Sequence, residues 1–254
     1  MPRFNTPFPF AACLTSLFLL AACLLSNVDT ALFLQLNAAS QLFPNAFWGL
    51  LTSLADPIIA PLLIFTLFYQ NVLFLRAFFI ALALALLVNY SLKYGFDIKR
   101  PTTLLDTNSF TIIGPIINSP SFPSGHTITI FTLMGLLSAW YQKRAVSLAV
   151  FTLAACISFT RISVGAHWPS DVLFGALIGC LIGWLAVEIN SRLEAKSSTN
   201  LPLTGYFIAL FVGIFSLITK TPYATAQWLS TAVSLFTIAY ALKSITALLH
   251  RQKG

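Results

Sequence analysis

The stretch AFFIALALALLVNYSLKYGFDIKRP, residues 77–101, decides the solvent in which this chain folds. It runs apolar from Ala77 almost to Tyr94, close to the roughly 20 residues that cross a hydrocarbon core. It then meets Lys93, Asp97, Lys99 and Arg100 before Pro101. Charges at the end of such a run are costly unless they reach the interface or have a specific use there. The rest of the chain matches: of 254 residues 57% are hydrophobic and 8% charged, far from the balance of a water-soluble domain. The sequence therefore predicts an all-α, polytopic membrane bundle.

Outward from this run, apolar stretches predict eight spans. They cover Phe8 to Leu25, Pro57 to Leu75, Ala77 to Tyr94, Thr127 to Tyr141, Ala145 to Ser163, Val172 to Ile189, Leu203 to Ile218 and Trp228 to Leu249. Two connections exceed a simple turn. Asn27 to Asp56 mixes apolar residues with Asp29, Gln35, Asn37 and Asn45, and predicts one or two helices in the outer interface. Gly95 to Phe122 carries charges, prolines and Gly114, and predicts a loop over the external surface. The charged, Ser-rich stretch Glu188 to Asn200 sets the last two spans apart.

An even number of spans puts both termini on one side, and the basic residues say which. With the N-terminus inside, Arg3, Arg76, Lys143, Arg144, Arg192, Lys196, Lys243, Arg251 and Lys253 fall at cytoplasmic ends, a clear majority of the 14 Lys and Arg. Lys93, Lys99, Arg100, Arg161 and Lys220 are left outside. The net charge of +7 is thus mainly topogenic, and no long basic run points to nucleic acid. Cys13, Cys23, Cys156 and Cys180 lie in apolar stretches and imply no disulfide framework. Leu20-Ala21-Ala22-Cys23 has the pattern of a lipoprotein cleavage site, but an uncleaved first span is preferred.

Under this topology Lys93, Arg100, His126, Arg161, His167 and Asp171 converge at the external ends of the third to sixth spans. Lys93 offers a compact charge and Arg100 a planar fork suited to phosphate oxygens, although either could simply snorkel. Pro123-Ser124-Gly125-His126 reads as a helix start, with Ser124 near the cap and Gly125 allowing close backbone approach. His167 and Asp171, four residues apart, can form an imidazole–carboxylate pair, a structural hydrogen bond or an oriented nucleophile.

Together, K-x6-RP, PSGH and R-x5-H-x3-D resemble the three-part signature of the type 2 phosphatidic acid phosphatase (PAP2) superfamily, in its membrane-integral bacterial branch. The match extends from Lys93 to Asp171. Thr160 stands where the third motif often has Ser. The resemblance implies a six-helix core, with two additional C-terminal helices here, and we divide the chain at 1–200 and 201–254 on that basis. It implies that His167 attacks phosphorus, that Asp171 orients it, and that His126 protonates the leaving oxygen. Lys93, Arg100, Ser124, Gly125 and Arg161 would bind the phosphoryl group. Neither a metal nor a cofactor is implied, and the sequence has no HExxH or Cys/His cluster.

The expected function is removal of phosphate from a lipid in the bilayer of a bacterial-type inner membrane, with the site facing the periplasm or exterior. Undecaprenyl diphosphate is the first choice, ahead of phosphatidylglycerol phosphate, phosphatidic acid and a lipid A phosphate. The alternatives are a lipid-to-lipid phosphotransferase of the same superfamily and a non-catalytic transporter or scaffold for anionic lipids. No nucleic-acid partner is expected, and the sequence leaves the oligomeric state open.

Overall fold

Helices form where the apolar runs predict them, and polar residues decide where they end. In the computed structural model the described residues are 8–25, 28–194 and 203–251; Arg3, Lys196, Lys253 and the connection 195–202 lie outside them. The helices are α1 (Phe8–Leu25), α2 (Asp29–Ser40), α3 (Asn45–Ser53), α4 (Ile59–Phe68), α5 (Val72–Phe96), α6 (Pro101–Leu104), α7 (Gly125–Tyr141), α8 (Arg144–Ser163), α9 (Pro169–Glu194), α10 (Leu203–Ile218) and α11 (Gln227–Arg251). A single 3-10 turn, Ala224–Ala226, leads into α11.

Among the described residues four helices, α5, α8, α9 and α11, are long and apolar enough to cross a membrane. The protein is therefore multi-pass. The eight expected spans exceed the four helices of that length among the described residues, and one of them, Pro57 to Leu75, is not one helix. It breaks after Phe68, because Asn71 accepts the Phe74 amide at 3.1 Å and starts α5 at Val72 rather than Ala77. At 10 residues α4 reaches about half-way across a bilayer core.

Helix α7 is the central element, buried from Thr127 to Leu136 and packed against α5, α8 and α9. Its contact with α9 depends on small residues. A Cβ on Gly179 would lie 2.7 Å from Phe131 Cβ and 2.8 Å from the Ile128 carbonyl, so only glycine admits this approach. The close crossing brings the starts of the two helices together, and the Ser124 amide donates to the Asp171 carbonyl at 3.2 Å.

The segment before α4 forms two helices, and they do more than lie at the interface. Buried Asn37 on α2 donates from Nδ2 to the carbonyls of Ile162 (3.0 Å), Ser163 (3.2 Å) and Thr111 (3.0 Å), while its Oδ1 accepts the Thr111 amide at 2.8 Å. It thereby ties the end of α8 to the long loop. Helices α10 and α11 pack on one another and on α4, with Thr66 and Thr237 hydroxyls 2.9 Å apart. Among the described residues no disulfide links the four cysteines.

Candidate active site

The end of α8 builds the first part of the site. The chain leaves α8 through Gly165, whose φ of +75° and whose 2.7 Å approach of a would-be Cβ to the Thr111 carbonyl restrict the position to glycine. The amides of Ala166 and His167 turn back to the Arg161 carbonyl, at 3.1 and 3.2 Å. This turn buries His167 at the entrance to α9, where Asp171 sits one helical turn later.

Asp171 Oδ2 gathers three groups: His167 Nδ1 at 3.1 Å, the Trp168 amide at 2.9 Å and the Ser121 hydroxyl at 2.5 Å. Nδ1 of His167 is thus held by the carboxylate, and Nε2 faces Arg100 Nη1 at 3.2 Å. The remaining Arg100 hydrogens are taken by the carbonyls of Ser119 (2.7 Å), Ala166 (2.7 Å) and Pro120 (3.2 Å) and by the Ser119 hydroxyl (3.2 Å). One N–H of the fork is therefore left for whatever meets His167 Nε2. Lys93 Nζ donates to the carbonyls of Pro120 (2.7 Å), Pro123 (3.3 Å) and Ser121 (3.4 Å), so it anchors the same loop from α5.

Arg161 is 1% exposed, yet no carboxylate pairs with it among the described residues. Its Nη1 donates to the hydroxyls of Thr52 (2.6 Å) and Tyr223 (3.1 Å), and its Nε is buried without a hydrogen-bond partner. A buried cation matched only by neutral oxygens is suited to pairing with an anion.

Ser124 is the residue preceding α7, as expected, but its hydroxyl accepts from Thr127 Oγ1 at 3.0 Å and does not cap the helix. Gly125 packs against Asn89. His126 Nε2 is buried without a hydrogen bond and lies 3.9 Å from Asp56 Oδ2. Asp56 also receives the Ile58 and Ile59 amides at 2.8 and 3.1 Å, which fixes it in the turn before α4. Thr160 turns away, donating to its own helix at the Ile157 carbonyl, 2.5 Å.

The eight expected residues thus line one region, and Thr52, Asp56, Ser121 and Tyr223 join them without having been expected. Thr52, Asp56 and Tyr223 come from distant segments that no spacing rule could join, whereas Ser121 lies two residues before the PSGH motif. A separate apolar groove of about 700 Å³, lined by residues such as Leu36, Phe151, Val172 and Leu173, contains none of the eight.

Electrostatics follow from the geometry. Burial first, then the charges of Arg100, Arg161 and Lys93 and the neighbouring His126, push His167 well below the ordinary imidazole value of 6.5. The neutral imidazole is therefore favoured over the charged one. Protonation would occupy Nε2, so the form with a free Nε2 is present above the depressed value and lost as pH falls through it. The acid limb of kcat/KM belonging to His167 is therefore expected below pH 6.5. A pH profile on a substrate that does not itself titrate in this range checks it; an acid limb above 6.5 would contradict the neutral-imidazole reading.

Known proteins resemble this chain over the part that holds these residues. Residues 74–194 match the PAP2 superfamily. A lipid A 4'-phosphatase of Bacteroides thetaiotaomicron is 28% identical over 71% of this chain and 85% of its own length. An undecaprenyl-diphosphatase of Sulfolobus acidocaldarius is 32% identical over 44% of this chain and 53% of its own. Among solved structures, Aquifex aeolicus LpxE superposes with a TM-score of 0.56 at 32% identity, covering 63% of this chain and 95% of that one. A transmembrane PAP2-type phosphatidylglycerolphosphate phosphatase from Bacillus subtilis gives a TM-score of 0.54 at 22% identity over 76% of this chain and 100% of that one, a likeness of fold. With the motif triad, a helical membrane body and relatives of this kind, the chain belongs to the PAP2 superfamily and is a phosphatase.

Proposed function

We propose that the protein is a metal-independent phosphatase of lipid phosphates or diphosphates that works through a phosphohistidine. The observation that carries the reading is the pairing of His167: Nδ1 on Asp171, Nε2 against Arg100 beside a buried, carboxylate-free Arg161. Nε2 attacks phosphorus; the N–P bond forms as the P–O bond to the lipid breaks, and His126 gives its proton to the leaving oxygen. Asp171, hydrogen-bonded to Nδ1–H, stabilises the positive charge that develops on His167. Water, deprotonated by His126, then breaks the N–P bond and releases phosphate. Asp56 Oδ2 faces His126 Nε2 at 3.9 Å.

Arg161, Arg100 and Lys93 set three cations against the one carboxylate that serves His167, a balance suited to a phosphoryl group. Arg100 and Arg161 have N–H groups available to phosphoryl oxygens. Lys93 contributes its charge and holds the loop, its hydrogens being on carbonyls. The start of α7, not capped by Ser124, supplies backbone N–H groups from Gly125 onward.

Undecaprenyl diphosphate is the first substrate proposed, in keeping with the archaeal relative. A lipid A phosphate is the second, favoured by the longer match to the Bacteroides enzyme. Both leave an apolar anchor in the bilayer while the headgroup enters a basic site. The test incubates purified protein with a panel of lipid phosphates and follows free phosphate and phosphorylated lipid acceptors separately. Free phosphate alone supports hydrolysis, and phosphate passed to a second lipid would establish the phosphotransferase alternative. In the same assay EDTA is expected to leave the rate within about twofold, while vanadate inhibits by resembling the transition state. Loss with EDTA that one divalent ion restores would overturn the metal-free mechanism.

We also propose that the site opens on the outer face, in line with the basic residues assigned to the other side. Exposed Asn118 lies in the loop before α7 and Gln142 follows its far end. In a variant lacking the four native cysteines, an impermeant thiol reagent added to cells with a permeabilised outer barrier is expected to label Asn118→Cys and spare Gln142→Cys. The reverse pattern would place the site in the cytoplasm.

A further inference from the structure

We infer that the C-terminal helix pair completes the phosphate site, with Tyr223 acting as a positioning residue that aims Arg161 jointly with Thr52. The inference rests on the reading of Arg161 as a phosphoryl ligand. Both partners lie outside residues 74–194, the part of the chain that matches the superfamily, so the motif triad does not carry them.

Tyr223 stands at the junction between α10 and α11, and its backbone is fixed there. Its amide donates to Thr221 Oγ1 at 3.0 Å, that hydroxyl donates to the Tyr223 carbonyl at 3.0 Å, and the Thr221 amide donates to Gln227 Oε1 at 3.1 Å. The ring is buried with Trp48, Val164 and Ala166, two of which belong to the turn between Arg161 and His167. It also lies over Gly114, where an added Cβ would approach Tyr223 Cε1 to 2.7 Å. The phenol therefore reaches Arg161 from a rigid seat formed by three separate segments.

The hydroxyls of Tyr223 and Thr52 both engage Nη1, one end of the guanidinium, and Nε remains without a partner. A planar fork held at one end has its other N–H groups fixed in direction before an anion arrives. Neutral hydroxyls do this without a carboxylate, which would have cancelled the charge that phosphate needs. A long buried side chain loses rotamer freedom on binding, and pre-setting it is worth most when the ligand is small and multiply charged.

The test is a double-mutant cycle read by vanadate affinity as well as by kcat/KM. Tyr223→Phe keeps the ring and removes only the hydroxyl; Thr52→Val is the matching isosteric change on α3. Each is expected to weaken vanadate binding and lower kcat/KM about five- to tenfold, with retained expression and thermal stability, and the pair together by more. In an Arg161→Gln background, Tyr223→Phe is expected to have no further effect on vanadate affinity. Wild-type affinity in both single variants would overturn the inference. So would an undiminished loss from Tyr223→Phe in the Arg161→Gln background, since the phenol would then act on the fold at large. If Arg161→Gln itself binds vanadate like wild type, the phosphate-site reading of Arg161 fails and the inference falls with it.

Discussion

His167→Ala is expected to lower kcat by about 10⁴-fold or more, the scale on which a nucleophile that acts in concert with its orienting groups is lost. The variant should still insert and fold. The side chain is buried at a helix entrance, and its backbone turn is held by the Arg161 carbonyl and by Gly165 rather than by the imidazole. Phosphoenzyme trapped with labelled substrate should be acid-labile and absent from the variant. Near-normal turnover in correctly inserted His167→Ala would remove the nucleophile assignment. His126→Ala separates the two histidines: a substrate with a good leaving group needs less proton donation, so the loss should be much smaller on it than on a poor one. Equal losses on both would argue against His126 as the acid.

Arg161→Ala is expected to cost about 10³-fold in kcat/KM, near the upper end of what loss of one preorganised charge-stabilising donor does. Arg161 is buried, unpaired by any carboxylate among the described residues, and its charge acts on His167. Lys220, another cation expected outside, is exposed beyond the end of α10, and Lys220→Ala should change the rate by less than about twofold. Activity at matched expression distinguishes them, and comparable defects would deny Arg161 a special place. Arg161→Lys should recover only part of the loss, because an ammonium cannot reproduce a planar fork held at Nη1 by Thr52 and Tyr223 with Nε left without a partner.

Some structural features were legible only in part. The sequence reading put a span from Pro57 to Leu75 because the hydropathy is continuous there. Asn71 interrupts it without lowering the average, since a single capping side chain restarts the hydrogen-bond ladder. Similarly, Asn37 was one of several polar residues in an interfacial segment. Its four hydrogen bonds to the end of α8 and the long loop depend on how α2 lies across them.

The sequence by itself determined the solvent, the helical class and the chemistry-bearing triad of Lys93-to-Arg100, Ser124-to-His126 and Arg161-to-Asp171. A bilayer demands apolar runs and internally satisfied backbone, and these leave their mark on composition; motif chemistry depends on residue types at short spacing. The tertiary structure alone decided that Arg161 donates to Thr52 and Tyr223, that Asp56 faces His126, and that Ser121 shares Asp171 with His167. Those contacts join residues far apart in the chain, and Gly114, where an added Cβ would lie 2.7 Å from the Tyr223 ring, is one position that permits them. Which buried hydroxyl or carboxylate then meets which cation depends on helix crossing and loop course, and no local sequence pattern encodes either.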